Sequence, residues 1–274
     1  MYVNSFEYAY RELVSDVLYT GSLRETRNGE TRSVFGKVIQ FGNLASQLFP
    51  ILVGRKYSYA GVFGEFAAFI RGPKHIDDFR KFGCNYWDMW AADDGSINVD
   101  YGNEWLANDQ VTNVIKSLRE DPHGRRHLIT GWRPENLADL SLPCCHYAYQ
   151  FYVRTDYAGH KHIDIMWHQR STDVMLGLPA DAILASLWVI LIAKETGYLP
   201  GRVTMTLGDA HIYEDHYVAA KQYLHQSAPQ NLDRALIQPT YRLSEDATLL
   251  GFVPDMLTID NYFPQPAIKM GLIK

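Results

Sequence analysis

Between Phe6 and Leu18 apolar side chains return every three or four positions (Phe6, Tyr10, Leu13, Val14, Val17, Leu18). That is the spacing of one helix face, and it predicts a helix over 5–20 stopped by Gly21. The run 33–41 (SVFGKVIQF) alternates and reads as a strand. Residues 59–71 (YAGVFGEFAAFIR) read as an apolar helix enclosing one carboxylate, Glu65, and 108–120 as an amphipathic helix. Strand-like runs follow at 127–132, 146–154 and 162–168. Pro179 and Asp181 then open a long helix over 182–196 that stops at Gly197, and a strand at 202–207 leads into a helix near 214–225. Strands and helices mix without regular βα alternation, so the pattern predicts an α+β fold. No linker or repeat divides the chain, which reads as a single domain over residues 1–274.

The most apolar stretch, 182–193, falls well short of the ~20 residues that cross a bilayer and reads as a buried core helix. The N-terminus MYVNSFEYAY has no basic and apolar leader pattern. Three cysteines, two of them adjacent, are too few for a disulfide framework and predict a reducing, cytoplasmic setting. A net charge of −5 argues against wrapping duplex nucleic acid, although a local Arg cluster can still hold one phosphate.

Chemistry concentrates in RRHLITGW (125–132), LPCCHYAYQFYV (142–153), HQRSTDVMLGLPAD (168–181) and GDAHIY (208–213). Cys145 next to His146 is a candidate nucleophile, but a lone Cys is more often a buried structural residue, and neighbouring strand side chains point to opposite faces. A reactive thiol needs positive charge nearby, which Arg125, Arg126 or Arg170 can supply. The same arginines suit phosphate oxygens; otherwise they are ordinary surface charge. His160 and His162 share a strand face but lack a third ligand, so AGHKH reads as a polar hairpin rather than a metal site.

Together these segments resemble the thymidylate synthase family. YWDMWA (86–91), YGNEWL (101–106), DPHGRRHLITGW (121–132) and YFPQPAIK (262–269) carry the same likeness, which extends from Arg27 to the C-terminus. The resemblance implies a thymidylate synthase fold, a mixed sheet packed against helices that dimerises through the sheet. It implies a pyrimidine nucleoside monophosphate and 5,10-methylenetetrahydrofolate as substrates, with no metal. Cys145 would add to C6 of the base, making C5 a carbon nucleophile toward the folate methylene. Arg27, Arg170 and Ser171 would face the phosphate, with Arg125 and Arg126 reaching it from the other subunit. His211 and Tyr213 would hold the sugar 3′-hydroxyl, and Glu65 would organise water and proton transfer at the base. Gln169 and Asp173 would contact base and folate, and Trp87, Trp90, Leu176 and Gly177 would line the folate side.

The departures concern the base. Family members acting on dUMP usually read LPxN where this chain has Leu178-Pro179-Ala180-Asp181. An amide answers the N3 proton and O4 of uracil. A carboxyl accepts from the 4-amino group of cytosine and, when protonated, donates to N3. Asp at this place resembles the deoxycytidylate hydroxymethylases. Read alone, Asp181 is equally the N-cap of the long helix. Ala180 stands where a folate-packing Phe is common, opening room for a water. Cys144, where Pro is common, is given no role.

The expected activity is hydroxymethyl transfer to C5 of dCMP. A methylase making 5-methyl-dCMP or dTMP, or a CMP hydroxymethylase, is the alternative. A non-catalytic nucleotide- or RNA-binding relative and a Cys–His hydrolase are rivals from other classes. Such an enzyme suits a bacteriophage that modifies cytosine before DNA synthesis, acting in the host cytoplasm, or a nucleoside biosynthetic route.

Overall fold

The computed structural model describes residues 5–42, 44–232 and 238–273. Met1–Asn4, the start of the stretch read above for a leader, lie outside the described residues. The helices are α1 (Ser5–Thr20), α2 (Tyr59–Phe69), the short α3 (Asp77–Arg80) and α4 (Asn103–Leu106), α5 (Gln110–Glu120), α6 (Gly177–Thr196) and α7 (Tyr217–Gln226). The strands are β1 (Ser22–Thr26), β2 (Gly29–Phe41), β3 (Leu128–Thr130), β4 (His146–Thr155), β5 (Lys161–Asp173), β6 (Leu199–Tyr213), β7 (Thr240–Leu243) and β8 (Leu257–Asp260). The fold is α+β, as the pattern predicts.

Six strands form one sheet in the order β1-β2-β6-β5-β4-β3, and β7 pairs with β8 in a separate ribbon. The β5–β6 pair is parallel, joined through α6, and the other pairs are antiparallel. One face of the sheet is buried under α1 and α6. Side chains alternate across a strand, so Phe151, Ile165, Trp167, Val203 and Met205 enter the core there. The other face carries the exposed Phe35, Val38, Tyr152 and Met166. The helix α6 is long and apolar enough to cross a membrane, but nearly all of its body from Leu178 to Ala193 is buried. It is a core helix, apolar on all sides because it is covered on all sides.

Several boundaries differ from the periodicity, and three differences move site residues. The strand expected at 162–168 continues to Asp173, placing Gln169, Arg170 and Ser171 on β5. The strand expected at 202–207 continues to Tyr213, so His211 and Tyr213 are strand residues paired to β2. The helix expected from residue 182 begins at Gly177. Pro179 therefore lies within its first turn, where a missing N–H costs nothing. Asp181 is thus inside α6 and is not its N-cap. The chain enters the helix instead through Asp173, whose Oδ1 accepts from the N–H groups of Met175 (2.8 Å) and Leu176 (3.1 Å).

The remaining corrections are local. The strand expected at 127–132 is confined to Leu128–Thr130, and the helix expected at 59–71 closes at Phe69. The helix expected at 108–120 starts at Gln110, because Asn108 and Asp109 adopt left-handed backbone conformations. AGHKH sits at the β4–β5 turn, where Asp156 accepts backbone N–H bonds from Ala158 and His160 and its carboxylate also faces the His160 and His162 rings.

Candidate active site

The sheet ends and α6 converge on Cys145, which is half-buried immediately before β4. Its backbone N–H donates to the Tyr101 hydroxyl, and its carbonyl accepts from the Arg170 N–H at 2.9 Å. Burial pushes the thiol pKa up, and the Arg170 guanidinium opposes that rise. Cys144 points elsewhere. It is 1% exposed, its Sγ lies 3.6 Å from the Gly131 carbonyl, and burial pushes its thiol far up. Adjacent in sequence, the two thiols differ in access: Cys145 is half-buried and Cys144 is buried.

Arg170 braces the segment carrying the thiol. Its Nε donates to the Cys144 carbonyl (2.7 Å) and Nη2 to the Pro143 carbonyl (3.0 Å), and the guanidinium lies over the Trp132 ring. A guanidinium has five N–H donors, so this exposed group keeps free donors for an anion.

A buried polar cluster lies beside the thiol. Gln169 is pinned at both ends: Oε1 accepts from Trp167 Nε1 (3.1 Å), and Nε2 donates to the Ser171 carbonyl (3.1 Å) and to Asp181 Oδ2 (2.6 Å). Asp181 is 9% exposed. Burial pushes its carboxyl up to about 8, against the opposing Gln169 bond. His146 Nε2 stands 3.8 Å from Asp181 Oδ1. The His146 ring is buried between Tyr101 and Trp167, with centroids 4.5 and 4.4 Å away, and burial pulls its pKa down to about 3. Burial thus disfavours the charged imidazolium and with it an ion pair to Asp181.

Glu65, on α2, is the second buried carboxyl. Its Oε1 accepts from Trp87 Nε1 (2.6 Å) and its Oε2 from the Tyr86 hydroxyl (2.8 Å). Burial pushes it up to about 7, the two bonds opposing. Two carboxyls poised near neutrality in one cluster suit proton transfer. Trp87 is buried beneath Glu65 and packs on Trp90, which is half-buried. Leu176 and Gly177 are also half-buried, at the entrance to α6. Arg55 and Tyr57 tie this entrance down, donating to the Met175 and Leu176 carbonyls.

On β6, His211 Nδ1 lies 3.3 Å from Asp209 Oδ1, which also accepts from the Ser33 hydroxyl (2.8 Å). The other Asp209 oxygen receives Arg24 of β1. The Tyr213 ring stands 5.0 Å from His211. Burial raises its hydroxyl pKa, and that hydroxyl also feels Asp173, Cys145 and Arg27. Arg27 itself is exposed at the β1–β2 turn. Tyr213 thus links this strand end electrostatically to the thiol and to Asp173.

Arg125 and Arg126 do not join this cluster. Both are exposed ahead of β3, and among the described residues their side chains have no polar partner. Sequence reasoning gave no site role to Tyr101, Trp132 or Asp209, and named His146 only as the neighbour of Cys145. All four lie within segments already singled out (YGNEWL, RRHLITGW, GDAHIY and LPCCHYAYQFYV). Among known protein families, the model described as thymidylate synthase matches residues 8–273.

Proposed function

The chain belongs to the thymidylate synthase family, and from that premise we propose that it transfers a one-carbon unit, as a hydroxymethyl group, to C5 of dCMP. The family's chemistry is one-carbon transfer to C5 of a pyrimidine nucleotide, with methylenetetrahydrofolate as cosubstrate. Within that chemistry, Cys145 adds through Sγ to C6 of the base, and the electron pair reaches C5. C5 then attacks the folate methylene. The C5 proton is then lost and tetrahydrofolate departs, leaving an exocyclic methylene on C5; water adds to that methylene, and the electron pair returned to C5 expels the Cys145 thiolate from C6. Glu65 and its ordered surroundings relay protons at the base. Arg170, Arg27 and Ser171 hold the phosphate, and His211 and Tyr213 hold the sugar. Trp87, Trp90, Leu176, Gly177 and Asp173 form the folate side.

The observation carrying the base assignment is the Asp181 carboxyl. It caps no helix, it is buried against Gln169, and burial keeps its proton near neutrality. With Oδ2 engaged by Gln169, Oδ1 of an acid in that state offers a donor to N3 of cytosine and a lone pair to its 4-amino group. The half-buried Ala180 leaves space beside the one-carbon unit for the water that makes a hydroxymethyl product. Trp87, kept against Glu65, favours the second reading, in which folate donates a hydride and the product is methylated.

A second copy of the chain is proposed to cover the sheet face that carries Phe35, Val38, Tyr152 and Met166. The unpaired Arg125 and Arg126 would then complete the partner's phosphate site. Mass spectrometry of the products from dCMP, dUMP and CMP, each with methylenetetrahydrofolate, tests the proposal. 5-Hydroxymethyl-dCMP as the main product supports it, and a product from dUMP alone overturns it.

A further inference from the structure

Beneath the His146 ring lies Tyr149, three residues along β4 and buried. Its hydroxyl meets His146 twice. The oxygen is 2.6 Å from the ring Nδ1 and 3.3 Å from the His146 carbonyl oxygen, to which it donates. A phenol has one proton. When that proton goes to the carbonyl, the phenol oxygen is an acceptor, and Nδ1 must carry the hydrogen shared with it. The other ring nitrogen, Nε2, is then a bare acceptor. Tyr101 and Trp167 pack on the ring and hinder the turn that would exchange the two.

We propose that Tyr149 is a positioning residue for base choice: it fixes His146 as the Nδ1–H tautomer, so that Nε2 presents an acceptor beside Asp181 to the amino edge of cytosine. Nε2 and Asp181 Oδ1 are 3.8 Å apart, too far to satisfy each other and close enough to engage neighbouring atoms on one base edge. Gln169 already occupies Oδ2 of Asp181, which leaves Oδ1 to the ligand. Cytosine brings a two-hydrogen amino group and a lone pair to such an edge. Uracil brings an oxygen whose lone pairs oppose a bare Nε2. The inference rests on the proposed reading of this cleft as a cytidylate site.

The test is Tyr149→Phe, which removes the hydroxyl and keeps the ring that packs on Trp167 (4.6 Å) and Trp188 (5.9 Å). The tautomer is read by long-range 1H–15N NMR of His146. Wild-type protein should show a protonated Nδ1 and a bare Nε2, and the variant a mixture or the reverse. With the tautomer lost, kcat/KM for dCMP should fall about tenfold while that for dUMP holds or rises. A wild-type ring protonated at Nε2 overturns the inference, whether or not the variant folds. So does a dCMP-preferring wild type whose preference survives Tyr149→Phe, an outcome that leaves the Asp181 reading standing. A wild type without any dCMP preference removes the Asp181 reading and the specificity role of Tyr149 together.

Discussion

Gln169 Nε2 donates to Asp181 Oδ2 across 2.6 Å, joining strand β5 to the second turn of α6. The bond spends one carboxyl oxygen on the protein and leaves the other for a ligand. It also ties the residue proposed to read the base to the strand bearing Arg170, the proposed phosphate ligand.

The two adjacent thiols should behave differently. Cys145→Ser is expected to abolish turnover while leaving nucleotide binding largely intact, since a hydroxyl is a far weaker nucleophile than a thiolate. Cys144→Ser should keep activity and cost about 1 kcal/mol of stability or less, because the Gly131 carbonyl can accept from the new hydroxyl. Peptide mapping after brief treatment with iodoacetamide should find label on Cys145 rather than on the buried Cys144 and Cys84. Label on Cys144 with Cys145 intact would reverse the assignment of the nucleophile.

Stability should fall as pH rises through the range in which the folded protein keeps protons that the unfolded chain has lost. Asp181 is raised from 3.8 to about 8, and Glu65 from 4.5 to about 7, both by burial. An acid raised in the folded state makes that state bind more protons between the two values, so unfolding becomes easier with pH there. Asp181→Asn removes this dependence for its own site. The Tm of the nucleotide-free variant relative to wild type should climb from pH 4 to about pH 8 and then level off. A difference that stays flat across that window would show that Asp181 ionises normally in the fold.

Arg125 and Arg126 should serve the partner subunit. Neither has a polar side-chain partner among the described residues, although they sit in a segment resembling a phosphate site. Mixing an Arg126→Ala chain with a Cys145→Ser chain should restore activity, because one site of the heterodimer then has an intact thiol and an intact donated arginine. No recovery, with subunit exchange verified by mass, would place these arginines outside the shared site.

Legibility in the sequence varied with the kind of signal. The core helix α6 and the carboxylate within α2 were readable, because apolar periodicity and a charge inside it report burial directly. The strand β1 was not, since all five of its residues are exposed. The ends of β5 and β6 were missed where polar site residues interrupt the apolar alternation, although pairing continues to Asp173 and Tyr213. Pro179 was read as lying ahead of the helix, which made Asp181 look like a cap; a proline within the first turn is equally stable. The contact of Tyr101 with Cys145, 44 residues apart, and that of Gln169 with Asp181 depend on tertiary packing that periodicity does not encode.

The product should carry a hydroxymethyl group. Ala180 is half-buried, and on the proposed reading its small side chain lets water reach the exocyclic methylene before a hydride does. Absorbance at the dihydrofolate band should stay flat while dCMP is consumed. Dihydrofolate formed in step with nucleotide would identify a methylase. Ala180→Phe should push the wild-type balance toward that outcome.

The most direct test of base recognition is a kinetic comparison of wild type and Asp181→Asn on dCMP and dUMP. Asn keeps an oxygen to accept from Gln169 and turns an NH2 toward the base, where it can donate to O4 of uracil but can no longer accept from the 4-amino group of cytosine. One mismatched buried hydrogen bond costs roughly 1–3 kcal/mol, so the dCMP-to-dUMP ratio of kcat/KM should fall by about tenfold to a hundredfold. A ratio that favours dCMP in the wild type and collapses in Asp181→Asn is the expected result. A ratio unchanged by the substitution would contradict the assignment of this cleft to cytidylate.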